Sequence, residues 1–214
     1  LTDFSVFKEK TTFLGFENYR KLLDGSDPFF YKSLKATLYF VVLNVPATII
    51  FSFLLALLLN RNIKGRALFR GIFYMPSIIP IVASCMIWQY LLNPDLGLAN
   101  SILKSLGLSK SMWLYDEKSV IPTLVLTNLW NCGSTMVIFL AGLQNIPRHY
   151  YEAVEVDGGN SLHKLIYITI PMVSPVLFYN AVMCAITSFQ AFDKAYILTE
   201  GGPNNASLFF SYLI

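Results

Sequence analysis

Four stretches of this chain carry no charged side chain: 36–60, 71–92, 119–147 and 165–192. Each is long enough to cross a bilayer, whose hydrocarbon core requires about 20 predominantly apolar residues in a helix. A soluble core helix has no reason to exclude charge from both faces over that length. In lipid the exclusion follows directly, because one charge at mid-depth costs about 2.5–3.5 kcal/mol of insertion free energy. Charged residues make up 14% of the chain, against about a quarter in an ordinary soluble domain. The pattern predicts an all-α, polytopic transmembrane helix bundle with spans at about 36–60, 71–92, 119–146 and 165–192. A further uncharged stretch opens near Ala206 and reads as a fifth, truncated span. Residues 1–35, with eleven charges of mixed sign, are expected to form an external lead-in, and 36–214 the transmembrane domain. The chain opens at Leu1 without a signal-peptide pattern and stops at Ile214 inside an apolar run, so a fragment cut at both ends is expected.

Orientation is read from Lys and Arg in the short loops. Arg61, Lys64, Arg66 and Arg70 crowd the first loop with no acid among them, which makes that loop cytoplasmic. Alternation then makes 93–118 and 193–205 external and 147–164 cytoplasmic. Trp88, Tyr90, Trp113 and Tyr115 fall near the outer boundary, where interface aromatics gather. The net charge of +3 is too small to suggest a nucleic-acid partner.

The spans are not uniform apolar rods. Pro76 and Pro80 stand four apart near the inner end of the second, and Pro171 and Pro175 repeat that spacing in the fourth. Each proline deletes a backbone hydrogen bond and bends its helix. Asn128, Trp130, Asn131, Ser134 and Thr135 cluster in the third span. Asn128, Asn131 and Thr135 are spaced at three and four, so they share a helix face. Asn180, Thr187, Ser188 and Gln190 do something similar in the fourth. Such residues either glue helices together or line a polar pathway. The set in the third span favours a pathway, while Trp130 equally suits packing against a neighbouring helix or lipid.

Other chemistries find little footing. Cys85, Cys132 and Cys184 lie far apart in apolar stretches without metal-site spacing. His149 and His163 have no partners at metal-site spacing either, and no metal or cofactor is expected. An enzyme is therefore not expected. A secondary transporter or channel using the same polar face is the alternative, but the spans hold no ionisable group of the kind that couples ions.

The segment 146–171 reads IPRHYYEAVEVDGGNSLHKLIYITIP. Pro147 suits the start of a helix running to about Asp157. Gly158-Gly159 stops it, and Asn160 or Ser161 caps the next helix. The product is a rigid, partly charged knob that a soluble partner could grip. This segment resembles the EAA loop of the permease subunits of binding-protein-dependent ABC importers. Glu152, Ala153, Gly158, Ile168 and Pro171 match that pattern at its spacing, with Val154 for its second Ala and Ile170 for its Leu. GFENY at 15–19, the Arg61–Arg66 core of the first loop, the Pro76/Pro80 pair and TEGGPNNAS at 199–207 resemble the carbohydrate branch in the same order.

The resemblance implies a type I ABC importer permease fold with a cytoplasmic coupling helix, in the inner (plasma) membrane of a prokaryote. It implies a separate ATPase subunit as partner, and this chain has no phosphate-binding Gly-Lys-Ser/Thr loop of its own. It further implies a second permease subunit, an external solute-binding protein, and a sugar or similar polyhydroxylated solute. The coupling residues it implies are Glu152, Ala153, Val154, Asp157, Gly158, Ile168 and Pro171. From the maltose-type permeases it carries sugar contacts onto Asn128, Asn131 and Thr135, with Trp130 able to stack on a sugar ring, and onto Ser77, Ser188 and Gln190. Asn131 stands where those relatives have an apolar residue.

Overall fold

The computed structural model describes residues 2–3, 12–13 and 15–213. Expectations for 1, 4–11, 14 and 214 lie outside the described residues. After a short helix α1 (Glu17–Leu23), α2 runs over Pro28–Asn60, 33 residues. The Asp27 side chain caps it by accepting from the Phe29 N–H at 2.9 Å, and Pro28 supplies the fixed φ of a first turn. At 1.5 Å per residue α2 is about 50 Å long, more than a bilayer core of about 30 Å. It therefore begins well ahead of the charge-free stretch and takes in Lys32 and Lys35.

The two faces of α2 are inverted relative to a soluble helix. Ser33, Thr37, Phe40, Asn44, Thr48, Ser52, Ala56 and Leu59 recur at three or four residues and are buried. Val42, Ile50, Leu54 and Leu58 are exposed. An apolar stripe of that extent is rare on a soluble protein and ordinary against lipid, where small and polar residues mediate helix contacts. The chain is a membrane protein by this criterion.

The second charge-free stretch is not one kinked rod. Helix α3 (Arg66–Tyr74) leads through a 3₁₀ turn, Met75–Ile78, to α4 (Ile81–Leu91), and the two helices stand at 100°. The residue before a proline is driven out of the helical region. Ile79, before Pro80, is extended with ψ 129°, and Pro80 follows at ψ 139°. The third stretch is also bent, by 53°, between α6 (Val120–Leu129) and α7 (Gly133–Gln144). No proline causes this break. A tight turn does, with the Asn131 N–H donating to the Asn128 carbonyl at 2.9 Å. Gly133 then lets α7 lie against the backbone of Phe73 and Tyr74.

The fourth stretch is continuous. Helix α9 (Ser161–His163), a π-helical stretch (Lys164–Thr169) and α10 (Ile170–Phe189) form one 29-residue helix. The wider π turn precedes Pro171, and the Thr169 hydroxyl closes it onto the Lys164 carbonyl at 3.1 Å. The connections carry α5 (Leu98–Ser105), α8 (Arg148–Val156), α11 (Asp193–Thr199) and α12 (Phe210–Leu213). Two helices, α2 and Ser161–Phe189, are long and apolar enough to cross a membrane alone, and each bent pair would make one further span.

Helix α2 is the axis, packed by α6, α7 and α10. One apolar cluster surrounds its first half with Phe40, Leu92, Leu124, Leu198 and Phe209. A second surrounds its last half with Leu55, Leu59, Met136, Phe139 and Val173. Asn44 and Thr48 of α2 lie between the two.

Candidate functional site

A cavity of about 430 Å³ opens between the two apolar clusters. Asn44 and Thr48 of α2 line it, with Asn128 of α6, Ser134 and Thr135 of α7, Asn180 and Ser188 of α10, and Asn131 and Gln190 at helix ends. Four of its groups form a relay across four helices. The Lys194 ammonium of α11 donates to Asn128 Oδ1. The Asn128 amide donates to Asn44 Oδ1 at 3.1 Å, the Asn44 amide to Ser188 Oγ at 2.8 Å, and Ser188 Oγ to the Cys184 carbonyl at 2.6 Å. The relay fixes one wall. Elsewhere on the lining, Thr48 Oγ1, Asn131 Oδ1 and Asn180 Nδ2 are buried without a protein partner.

Lys194 is the unexpected member. It sits on α11, outside the spanning helices, and its helix packs on α4, where the Gln89 amide donates to the Ile197 carbonyl at 2.7 Å. Its ammonium also donates to the Thr127 carbonyl at 3.3 Å. Burial holds this amine down to about 8, since an ammonium removed from water loses solvation. The segment 193–205, expected as a separate external loop, therefore delivers a cation to the cavity.

A second assembly stands at the far end of α7. Helix α8 ends at Val156 with Asp157 as its C-cap, and Gly158, at a φ of +76°, turns the chain away. The Gly159 N–H donates to the Val154 carbonyl at 2.7 Å. Asn160 then caps α9 reciprocally. Its Oδ1 accepts from the Leu162 and His163 N–H groups, and its own N–H donates to His163 Nδ1. Tyr151 hydrogen-bonds Thr169 at 3.2 Å, and Lys164 pairs with Glu155, so α8 is tied back to the long helix. Ile168 packs into the nearby apolar cluster. Glu152, Ala153, Val156, Asp157 and Gly158 remain exposed, Val156 at 87%. Among the described residues Glu152 makes no ion pair, with Arg148 or any other cation. Arg148 instead lines a separate pocket with Arg66, Arg70 and Tyr151.

Residues 36–212 match the model of the family described as binding-protein-dependent transport system inner membrane component. The chain belongs to that family. It is 39% identical over 202 residues to the probable ABC transporter permease protein YesP of Bacillus subtilis, covering 92% of this chain and 65% of that one. It is 34% identical over 209 residues to the trehalose/maltose transport system permease protein MalF of Thermococcus litoralis, covering 97% of this chain and 70% of that one. A crystal structure of a bacterial ABC transporter involved in the import of the acidic polysaccharide alginate superposes with a TM-score of 0.83 at 24% identity, over 97% of this chain and 72% of that one. That likeness shows the permease fold. The chain thus spans about two thirds of the length of these relatives.

Within this family frame, Asn128, Asn131, Thr135, Ser188 and Gln190 meet at one cavity although they come from two separate stretches of chain. Trp130 and Ser77 do not join them. Trp130 stands edge-on to Trp88 with ring centres 5.7 Å apart. Ser77 donates to the Tyr74 carbonyl and lies beside Gly133. Sequence reasoning missed Asn44, Thr48 and Lys194. A signal for the first two exists in the small and polar residues every four positions along an otherwise bulky helix: Thr48, Ser52 and Ala56 after Asn44. No sequence signal marks Lys194.

Proposed function

We propose that this chain is the membrane-spanning permease part of an ATP-driven importer, and that its polar cavity is half of the path for a sugar or similar polyhydroxylated solute. The family supports the importer. The observation that carries the pathway is the set of unpartnered polar atoms, Thr48 Oγ1, Asn131 Oδ1 and Asn180 Nδ2, between two apolar layers. An unpaired buried polar group costs about 1–3 kcal/mol, and lipid offers no water to relieve it. A path that fills with water and a hydroxyl-bearing solute removes that cost. Neutral amides and hydroxyls bind such a solute without holding it too tightly to release. The Thermococcus relative is named for trehalose and maltose, which fits this lining.

The remaining half of the path belongs to a second permease subunit, a copy or a homologue. An external binding protein delivers the solute, and the chain passes several times through the inner membrane of a prokaryote. Residues 1–35 lead in from outside, 36–214 form the permease domain, and the basic loop at 60–70 and the 147–164 segment face the cytoplasm. There the exposed Glu152, Ala153, Asp157 and Gly158 dock on an ATPase subunit. Ile168, packed into the nearby apolar cluster, anchors the knob to the bundle. ATP-driven closure of the ATPase pair pushes the knob, and the rigid 29-residue helix that follows carries the movement to Asn180 and Ser188.

Co-purification from membranes tests this. Glu152→Lys and Gly158→Asp are expected to leave an inserted protein that no longer retains its ATPase. Asn131→Ala is expected to retain the ATPase and to lower transport partially, as loss of one hydrogen bond worth about 0.5–1.5 kcal/mol should. Normal ATPase recovery and normal transport in both knob variants would refute the coupling role.

A further inference from the structure

The cavity holds a charge that a neutral sugar does not need. An ammonium has three N–H donors. Two of those of Lys194 are used, by the Asn128 amide oxygen and the Thr127 carbonyl, and Lys194 lines the cavity, which leaves one donor for a ligand. Among the described residues no carboxylate pairs with it. Asp193 also lines the cavity, but it is exposed at the start of α11 and makes no ion pair with Lys194. The half-buried cation therefore lacks its counter-ion. A protein-held counter-ion is the usual solution for a buried charge. Here neutral partners hold the ammonium at the cavity wall instead, and Asn128 is itself fixed by Asn44 and Ser188.

We propose that the solute itself brings the counter-ion: the cavity takes a sugar acid, with Lys194 binding its carboxylate while the unpartnered Asn131 and Asn180 groups bind its hydroxyls. This rests on the importer reading and narrows its substrate class. A charge-assisted hydrogen bond is roughly twice as strong as a neutral one. A neutral sugar of the same shape offers nothing to offset the stripped ammonium. The relay then has a second consequence. An anion drawing on Lys194 loosens its hold on Asn128, so solute charge is sensed at the junction of α2, α6 and α10.

The test uses the whole transporter, reconstituted with its ATPase, second permease and binding protein in ATP-loaded vesicles. Two matched pairs serve as probes: digalacturonate with galactobiose, and cellobiuronate with cellobiose. At least one acidic member is expected to accumulate at least 10-fold more than its neutral counterpart. Lys194→Gln, which keeps a hydrogen-bond donor but no charge, is expected to lower the ratio of acidic to neutral uptake at least 10-fold. Lys194→Arg is expected to retain the preference. Preferred uptake of the neutral members, uptake of neither, or an undiminished ratio of acidic to neutral uptake by Lys194→Gln would each overturn the proposal. In those cases recovery of the ATPase with the wild-type permease shows that the importer reading stands. Loss of that recovery would overturn the importer reading itself.

Discussion

Replacing Gly133 with alanine tests the contact that joins the two broken helix pairs. A Cβ built there would stand 2.5 Å from the Phe73 carbonyl oxygen, 2.7 Å from Tyr74 Cα and 3.0 Å from Ser77 Oγ. The two nearest atoms are backbone and cannot rotate away. Ordinary contact begins near 3.4 Å, so α7 has to retreat from α3 by about 0.9 Å in a densely packed interior. Overpacking of this kind costs about 1–3 kcal/mol. Alanine recovers at most about 0.5–1 kcal/mol of helix preference over glycine. The difference is about 1.3 kcal/mol, which for a chain of this size lowers the melting temperature by about 3–5 °C. Gly71→Ala is the internal control, because its Cβ meets nothing within 4 Å inside α3. It keeps only the helix gain and is expected to raise the melting temperature by about 1–4 °C. Heating the detergent-purified complex and following its size-exclusion peak measures both. Transport is expected to fall with Gly133→Ala alone, since the same displacement moves Ser134 and Thr135 off the cavity wall. Equal shifts for the two variants, or an unchanged Gly133→Ala, would refute the close approach as the reason for the glycine.

Three further outcomes are expected. Gly159→Ala places a Cβ 2.4 Å from Val154 Cγ1 and 2.9 Å from the Val154 carbonyl oxygen, and should release the ATPase as fully as Gly158→Asp; wild-type co-purification would show that this turn does not present α8. Asn180→Leu removes a buried donor that has no partner, so melting is expected to hold or rise slightly while transport drops; a lower melting temperature with normal transport would make Asn180 a bundle contact instead. Transport of an acidic sugar is expected to fall between pH 7 and 9, as Lys194, held at about 8 by burial, loses its charge. Cys85 of α4 and Asp193 are the other titratable groups acting near it, and Lys194→Arg, charged throughout this range, should flatten the fall. A pH profile identical in the two proteins would count against a role for that charge.

Much of this protein is decided by terms that a sequence displays directly. Excluding charge from 20 or more residues is a solvation requirement of each segment alone, so the apolar stretches and the membrane location are legible without a fold. The Glu152–Pro171 knob is equally local. Its glycine stop and asparagine cap act within a few residues, and the structure forms both where the residue types require them. What the residues of a bent stretch do is a different matter. Pro76/Pro80 and Pro171/Pro175 have the same spacing, yet the first pair accompanies a 100° break and the second lies in an unbroken helix. In one case Ile79 goes extended, and in the other a π-helical turn precedes the first proline. A break with no proline, at Trp130–Cys132, depends on Gly133 meeting the backbone of residues 73 and 74. The cavity is decided in the same way. Its relay runs between residues 84 and 144 positions apart in sequence, and Lys194 joins it only because α11 packs on α4. Charge exclusion and capping are local free energies, whereas a polar cavity exists only when several helices place their few polar groups at one depth, and tertiary packing alone sets that depth.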